Sequence, residues 1–381
     1  MSKVCLKEKF QFFESFWKGE GPFPLLFAKP HLAKEKNYIF YDLEEQHRDP
    51  VKLVEEAVKA VEPALEGIDD GIPAFRTDLG TTLFPSSLGL RVAVQREVYP
   101  WLLDHLSLDR YITLRDVSSG IREGAGEIGH AVQAYRLFLH RKETGSIPPE
   151  MLPYVPDNQG IFDLSHIIVG TDIFTALIDT PEKVHKAQTQ SLKLYLSGTQ
   201  LFKTLLSEPE TSMFHAHGMI SGVWFPRTGA RISEDSCSLI SDAMIEEFCL
   251  PYIREALKPF GRGFLHFCGR HEGFLSTVCK EPLISTLNLG NPELYELEEV
   301  FRFCGATDTV YFGHLDPKPD ESMETFLERI AAIALRNKAR LILVVPPVEG
   351  MDRKRYLVNL WHRLTKHSPL RSSWTASTGS W

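Results

Sequence analysis

The chain has 381 residues, of which 43% are apolar and 24% are charged, and its formal net charge is -8. This length suits one large α/β barrel or two medium domains, and the composition predicts a full hydrophobic core. The acidic balance, without any basic stripe, argues against a nucleic-acid partner.

Cysteine use and apolar runs indicate the cellular compartment. The six cysteines are few and widely spread, which argues against a secreted disulfide framework and for a reducing cytoplasm. The N-terminus alternates charged with aromatic residues and lacks the apolar core of a signal peptide. No run reaches the roughly 18 to 20 apolar residues that a membrane helix needs. We therefore expect a soluble, cytoplasmic protein with no membrane partner.

The first part of the chain predicts helices and loops. Residues 7–27 look like an amphipathic helix closed by Gly-Glu-Gly-Pro, and residues 49–67 predict a second helix capped by Asp49. The stretch 71–92 is rich in Gly, Ser, Thr and Pro and indicates a loop over one face. "GAGEIG" at 124–129 has dinucleotide-loop spacing, but no apolar strand precedes it, so we interpret it as a loop leading into a helix.

From about residue 161 onwards, predicted strands alternate with predicted helices. The strands, some with the loop that follows, are 162–170, 212–218, 263–269, 282–290, 308–317 and 339–350. The helices are 180–206, 239–261 with an interruption near Pro251, 270–280, 291–305, 320–338 and 352–366. This alternation favours parallel βα units.

We predict a (β/α)8 TIM barrel rather than a doubly wound sheet, because the chain is long and lacks a convincing phosphate loop. Residues 1–365 form this single barrel, with an N-terminal helical extension over about 1–75, and 366–381 form a loose Ser/Thr-rich tail.

Polar residues stand where the predicted strands end, which is where such a barrel builds its active site. They are His215, His217, His266, Cys268, Asn288, His314, Asp316 and Glu349, with Glu234 and Asp235 in a loop before a helix. Because Glu234 and Asp235 are adjacent, we expect only one to face the site. The alternative is that both cap the following helix.

His266 and Cys268 are the strongest candidates for metal ligands. Positions i and i+2 of a strand face the same side, so both side chains can point into the barrel mouth. Zinc favours thiolate with imidazole, and catalytic zinc has three protein ligands and one open position. The alternative is a hydrogen-bonded core histidine beside a small buried cysteine.

The other candidates have similar alternatives. His215 and His217 could be ligands or proton carriers. They could equally belong to a hydrogen-bonded turn, and we favour the turn. Gly218 nevertheless leaves room for a ligand to approach the backbone. Asp316 either touches substrate or fixes a turn before proline.

Four motifs, in order, resemble the uroporphyrinogen decarboxylase superfamily, which also contains the methylcobalamin:coenzyme M methyltransferases of methanogens and related corrinoid-dependent enzymes. "TPEKVHKA" looks like a helix start of that family, and "LISDAMIEEFCLPYIREAL" is similar to its Leu-Pro-Tyr segment. "FLHFCG" matches the H-x-C-G strand of the methyltransferase branch, and "FGHLDP" resembles the family's "GNLDP", with His314 in place of asparagine. The likeness covers roughly residues 160–350 and is closest to the corrinoid-dependent branch.

The resemblance implies a TIM barrel in which His266, Cys268 and a far downstream cysteine bind zinc. The zinc binds a thiol substrate and lowers its pKa, so that a thiolate attacks a methyl group on cobalt. No cysteine follows Cys304 in this chain. The third ligand would therefore be Glu349, Asp235 or a nearby histidine.

The leading hypothesis is a methyltransferase that moves a methyl group between a corrinoid and a thiol or related acceptor. The chain has no corrinoid-binding motif, so the methylcorrinoid would arrive on a partner protein, and a homodimer is common in barrels of this kind. The assigned roles are metal binding by His266, Cys268 and Glu349, catalysis by Asp235, Asp316 and His314, and substrate binding by His215, His217, Asn288 and Arg76.

Two alternatives remain open. One is a metal-independent decarboxylase or lyase acting on a small carboxylated substrate, which needs cationic side chains in the barrel mouth. The candidates are Arg76, Arg227, Arg231 and Arg270. The Arg-Gln-Ala-Gly-Arg motif of the true decarboxylases is absent, which argues against porphyrinogen as that substrate. The other alternative is a catalytically silent barrel that binds a ligand.

Overall fold

The computed structural model describes residues 4–29 and 38–366. The strands are β1 (Leu25–Phe27), β2 (Ile72–Phe75), β3 (Val92–Ala93), β4 (Trp101–Leu102), β5 (Leu152–Pro153), β6 (Met213–His215), β7 (Ser221–Phe225), β8 (Ala230–Ser233), β9 (Gly263–Phe267), β10 (Ile284–Leu289), β11 (Val310–His314) and β12 (Arg340–Val345). The predicted C-terminal tail lies outside the described residues except for Lys366.

The helices surround these strands. They are α1 (Leu6–Lys18), α2 (Leu43–Arg48), α3 (Pro50–Val61), α4 (Leu108–Ile112), α5 (Gly126–Glu143), α6 (Ile161–Val169), α7 (Asp172–Asp179), α8 (Pro181–Leu205), α9 (Asp242–Met244), α10 (Leu250–Leu257), α11 (Glu272–Lys280), α12 (Leu297–Thr307), α13 (Met323–Arg336) and α14 (Met351–Thr365).

Six strands form one parallel sheet in the order β1-β12-β11-β10-β9-β8. The register places Ser233 of β8 beside His266 of β9, and His266 beside Asn288 of β10. Because parallel strands all end at the same edge, the residues that follow β8, β9 and β10 meet at one place. The predicted strands of residues 263–350 are confirmed in this sheet.

A second sheet has the order β5-β2-β7-β6, in which β7 runs antiparallel to both β2 and β6. The strand predicted at 212–218 is present at its beginning, but it turns back into β7 instead of entering a helix. The reversal occurs at His217 and Gly218, whose φ angles are 48° and 79°. Such positive φ values suit the tight turn of a hairpin. The described fold is therefore mixed α/β, with a parallel sheet and many helices.

The prediction of a strand over 162–170 is wrong, because this segment is helix α6. A short apolar run does not distinguish a buried strand from a buried helix by periodicity. Here the carboxyl group of Glu234, distant in sequence, accepts the backbone N–H groups of Ile161 and Asp163 at 2.7 and 3.1 Å. This tertiary cap supplies the helix start that the local sequence does not show.

Most remaining helix predictions are confirmed, but the helix predicted in 7–27 ends at Lys18 and residues 25–27 of that stretch form β1. The stretch 71–92, predicted as a loop, contains strand β2 near its start. Asp49 caps α3 through the N–H of Val51 at 2.8 Å, and Pro181 begins α8. The predicted helix over 239–261 breaks into α9, a π-helical segment at Ile245–Cys249, and α10. Helix α12 continues past Gly305, where we predicted its end, to Thr307.

Apolar side chains from the helices and the strands form one core cluster, in which Phe264, Leu343 and Trp361 are fully buried. Among the helices of the described ranges, none is both long and apolar enough to cross a membrane by itself. Helices α6 and α7, which bend by 110° at their junction, reach that length and composition only as a pair.

Candidate metal centre

Asp235, His266 and Cys268 converge where β8 and β9 end. Nε2 of His266 lies 3.4 Å from Sγ of Cys268 and 3.5 Å from Oδ1 of Asp235. One ligand atom from each residue lies within 4.8 Å of the others. The predicted His266 and Cys268 pair thus gains a carboxylate neighbour from the preceding strand's loop.

The spacing of this group suits a zinc ion. Zinc binds nitrogen, oxygen and sulfur at about 2.0–2.3 Å in a tetrahedral arrangement, which puts neighbouring ligand atoms about 3.3–3.6 Å apart. The two measured separations, 3.4 and 3.5 Å, lie in that range. One oxygen, one nitrogen and one sulfur ligand leave a fourth position for a substrate. The residues present could therefore hold a metal ion such as zinc.

Asn288 orients His266 for this role. Oδ1 of Asn288 lies 2.5 Å from Nδ1 of His266, and the Asn288 amide nitrogen donates to the carbonyl oxygen of Phe312. That second bond fixes which amide atom faces the imidazole, so Nδ1 carries the proton and donates it to Asn288. The lone pair is then on Nε2, which faces Cys268 and Asp235. Hydrogen bonding behind a ligand histidine is usual at metal sites.

Asp235 is held in place by a reciprocal contact between its loop and α6. Glu234 caps the start of α6, and in return Asp163 of α6 accepts the backbone N–H groups of Asp235 and Ser236 at 2.9 and 2.7 Å. The side chain of Asp235 then reaches the other way, where its Oδ1 accepts the N–H of Cys268 at 2.6 Å. Only Asp235 of the adjacent acidic pair faces the site, and Glu234 caps the earlier α6 rather than the following helix.

Two glycines make these close contacts sterically allowed. A Cβ on Gly290, directly after β10, would lie 2.4 Å from Sγ of Cys268. A Cβ on Gly160, before α6, would lie 2.5 Å from Oε1 of Glu234. Cβ atoms do not approach other atoms so closely, so glycine is required at both positions for this geometry.

The protonation states of Cys268 and His266 determine how this group would bind a cation. Burial and then the Asp235 carboxylate raise the pKa of Cys268 to about 12. Burial and then the charge of Arg231 lower the pKa of His266, so its imidazole stays neutral. A divalent ion between these side chains would offset the negative charge of Asp235 and stabilise the Cys268 thiolate.

His215 and His217 lie beside this group. The ring centres of His217 and His266 are 4.4 Å apart, and those of His215 and His217 are 5.8 Å apart. Burial, followed by neighbouring positive charges, lowers the pKa of both well below the usual range. Nε2 of His215 and Nδ1 of His217 have no hydrogen-bond partner among the described residues. The neutral ring of His217 thus packs against that of His266, and the buried ring of His215 lies next to His217.

Two arginines lie near these histidines, and their charges help to lower the pKa of both rings. Arg231 on β8 contacts the Asp157 carboxylate directly and donates to Oγ of Ser233 at 2.5 Å. Arg76, after β2, donates to Oδ2 of Asp78 at 2.9 Å. In the part of the chain that the structure describes, Nε of each arginine has no partner.

The structure does not bring His314, Asp316 and Glu349 into the group. His314 ends β11, where its Nε2 lies 3.4 Å from Oδ1 of Asp316, and their side chains are 44% and 70% exposed. Glu349 is exposed on the loop after β12. The roles assigned to these three residues from the sequence stay predictions, and the third ligand that the structure offers is Asp235.

Sequence reasoning missed Asp163 and Asp157. Asp163 fell inside the segment assigned to a strand, where its charge between the apolar residues Phe162 and Leu164 could have marked it. Asp157, which pairs with Arg231, lies in a loop with no recognisable spacing. The hydrogen bond between Asn288 and His266 joins neighbouring strands, so it depends on a register that the sequence does not reveal.

The molecule is thus an α/β protein with a cluster of potential metal ligands at the ends of parallel strands. No family model and no curated protein matches the chain. Among solved structures it is similar to a methyltransferase from Methanosarcina mazei, with a TM-score of 0.62 over 95% of this chain and 99% of the other. The sequences are 12% identical, so the similarity concerns the fold.

Proposed function

We propose that the protein is a methyltransferase that moves a methyl group between a protein-bound corrinoid and a thiol or related acceptor. The observation that carries the proposal is the convergence of Asp235, His266 and Cys268 in a geometry suited to zinc. The fold similarity to a protein named as a methyltransferase supports it. The motifs in residues 160–350, which resemble those of the corrinoid-dependent branch of the uroporphyrinogen decarboxylase superfamily, also support it.

The proposal includes a closed (β/α)8 barrel, in which the two sheets form one wall. Hydrogen bonds between β1 and the segment before β2 support it. The N–H of Leu25 donates to Oδ2 of Asp70 at 2.8 Å, and the N–H of Asp70 donates to the carbonyl of Leu25 at 3.0 Å. Such contacts bring one edge of the parallel sheet next to the mixed sheet.

In this proposal His266, Cys268 and Asp235 hold the metal, while Asn288 keeps the ligand nitrogen of His266 deprotonated. When bound, zinc supplies a Lewis acid that lowers the pKa of an acceptor thiol. The neutral rings of His215 and His217 line the space beside the metal. Arg76 and Arg231 offer donors to an anionic part of the substrate and so orient it.

The transfer balances without any further reactant. The acceptor sulfur would form a bond to the methyl carbon as the bond between that carbon and the corrinoid donor breaks, and the bonding electron pair would stay with the donor. The thiol proton leaves to solvent. The corrinoid enters on a carrier protein. The six free cysteines suit a reducing cytoplasm, and a homodimer is the proposed assembly.

The test is methyl transfer from free methylcobalamin to a panel of small thiols under anaerobic conditions, with mass spectrometry of the thioether. We expect zinc-dependent product that is lost in Cys268→Ser. The matched control is Cys5→Ser, because Cys5 is exposed and lies outside the group. A folded, zinc-loaded protein that forms no thioether with any thiol of the panel would contradict the proposal.

A metal-independent lyase for a small carboxylated substrate is the second candidate. It is favoured by the side chains of Arg76 and Arg231, which are 15% and 7% exposed. Nε of each has no partner in the described structure. Arg270 is a weaker candidate, because it is 61% exposed and pairs with Glu272. Thermal stabilisation by small carboxylates that is lost in Arg76→Gln, without a zinc requirement, would favour the lyase. The same stabilisation without turnover would favour a silent ligand-binding barrel.

A further inference from the structure

A second cluster of potential metal ligands joins the N-terminal region to α5. It consists of His47 in the last turn of α2, and Glu127 and His130 in the first turns of α5. Nε2 of His47 contacts Oε2 of Glu127 directly, and Nδ1 of His130 lies 3.5 Å from the same oxygen. The two imidazole rings are 4.9 Å apart and nearly perpendicular. One ligand atom from each of the three residues therefore lies within 4.8 Å of the other two.

Hydrogen bonds outside the cluster hold α2 and the start of α5 in place. Helix α2 begins with a capping box, in which Asp42 accepts the N–H of Glu45 at 2.8 Å and Glu45 accepts that of Asp42 at 3.1 Å. The first turn of α5 is fixed by Ser86, whose Oγ accepts the N–H of Glu127 at 2.9 Å. Glu127 and His130 lie one helical turn apart and so share a face of α5.

The exposure of the three side chains matches that of an accessible metal site. The side chains of His47 and Glu127 are 10% and 8% exposed, whereas that of His130 is 47% exposed. Two ligands are therefore held inside the protein, and the third borders the solvent through which an ion enters. The buried His47 imidazole and the buried Glu127 carboxylate hydrogen-bond each other, so a bound ion would replace that contact with a metal ligand from each residue.

Two imidazole nitrogens and one carboxylate oxygen are also common metal ligands in proteins. Two histidines with one glutamate bind catalytic zinc in known metalloenzymes, and imidazole suits zinc, copper and nickel ions. A Glu-x-x-His pair on one helix, here Glu127 and His130, is a recurrent source of metal ligands. The ordinary alternative is an ion-pair network that ties α2 to α5 without a metal.

We propose that His47, Glu127 and His130 form a binding site for a divalent transition-metal ion of the zinc type. It uses elements different from those of the Asp235, His266 and Cys268 group, and it does not depend on the proposed methyltransferase function. Its bound ion fastens the N-terminal helical region to α5.

The experiment measures zinc retained by the full chain after equilibration with zinc chloride and gel filtration. The background is Cys268→Ser, which silences the first group. We expect about one zinc per chain in this background, a loss to near zero on adding His130→Ala, and no change on adding His140→Ala. His140 is an exposed histidine on the same helix and serves as the matched control.

A thermal melt provides the second readout. Zinc should raise the melting temperature of Cys268→Ser, and the added His130→Ala should abolish that shift while circular dichroism remains native. If His130→Ala does not fold, the conservative Glu127→Gln takes its place. Equal zinc content with and without His130, or no zinc-dependent shift in Cys268→Ser, would overturn the proposal and leave the ion-pair network as the explanation.

Discussion

Raising the pH from about 7 to about 8 should tighten zinc binding at Asp235, His266 and Cys268 by about tenfold. Burial and then Asp235 raise the pKa of Cys268 to about 12, so its thiol keeps the proton throughout this range in the metal-free protein. Zinc takes the thiolate, so each bound ion displaces that proton. His266 displaces none, because burial and then Arg231 lower its pKa and leave it neutral.

The magnitude follows from this proton count. One displaced proton raises the logarithm of the apparent affinity by one for each pH unit, which is about 1.4 kcal/mol. Calorimetric titration in buffers of different protonation enthalpy counts the protons directly, and chelator competition gives the affinity. Both are done in His130→Ala, so that the second cluster does not contribute.

The same titration in Cys268→Ser should show much weaker binding with no such pH dependence, since a serine hydroxyl keeps its proton as a weak ligand. Tight binding without proton release in the parent would mean that Cys268 is not a ligand. Release of two protons would mean that His266 is protonated before zinc binds, contrary to the surroundings that the structure gives it.

Three further predictions concern residues that hold Asp235, His266 and Cys268 in place. Asn288→Ala should weaken zinc binding about 10- to 100-fold, because His266 loses its acceptor, whereas Asn288→Asp keeps that acceptor and should restore the affinity; chelator competition separates the two. Gly290→Ala should lower zinc affinity in the same assay, since the new Cβ would lie 2.4 Å from Sγ of Cys268. The control is Gly124→Ala, because no atom lies within 4 Å of a Cβ at Gly124. Glu234→Ala should lower the free energy of unfolding by about 3 kcal/mol, because three N–H groups at the start of α6 lose their acceptor; denaturant melts that match the parent would contradict this.

Glu234 also makes stability depend on pH. Burial and then Asp163 raise the pKa of Glu234 well above its usual value. The stabilising contribution of the protonated group is therefore complete below the unfolded-state pKa of about 4.3 and is lost as the pH rises through the higher folded-state pKa. Denaturant melts of Glu234→Gln should show a smaller loss of stability over that rise, and an unchanged pH dependence would argue against it.

The strands around the site could be predicted because their apolar runs are bounded by glycine and polar residues. The two-residue period of a strand placed His266 and Cys268 on one side, and the structure agrees. Helix α6 could not be predicted, because its cap comes from Glu234 more than 70 residues later. Local sequence does not contain that contact.

The third ligand shows the same limit. The sequence offered Glu349, Asp235 or a histidine, and no spacing rule chose among them. Asp235 and Cys268 are 33 residues apart, and their contact depends on the pairing of β8 with β9 and on the loop held by Asp163. The hairpin of β6 and β7 was also missed, because a short strand followed by His217 and Gly218 looks like the start of a βα unit.

The measurement that tests the central claim most directly is X-ray absorption at the zinc edge of the protein loaded with one equivalent of zinc, in the His130→Ala background. We expect one sulfur at about 2.3 Å and nitrogen or oxygen ligands at about 2.0–2.2 Å, with the sulfur absent in Cys268→Ser. Bound zinc with only nitrogen and oxygen ligands in the parent protein would contradict the assignment of Asp235, His266 and Cys268 as one metal site.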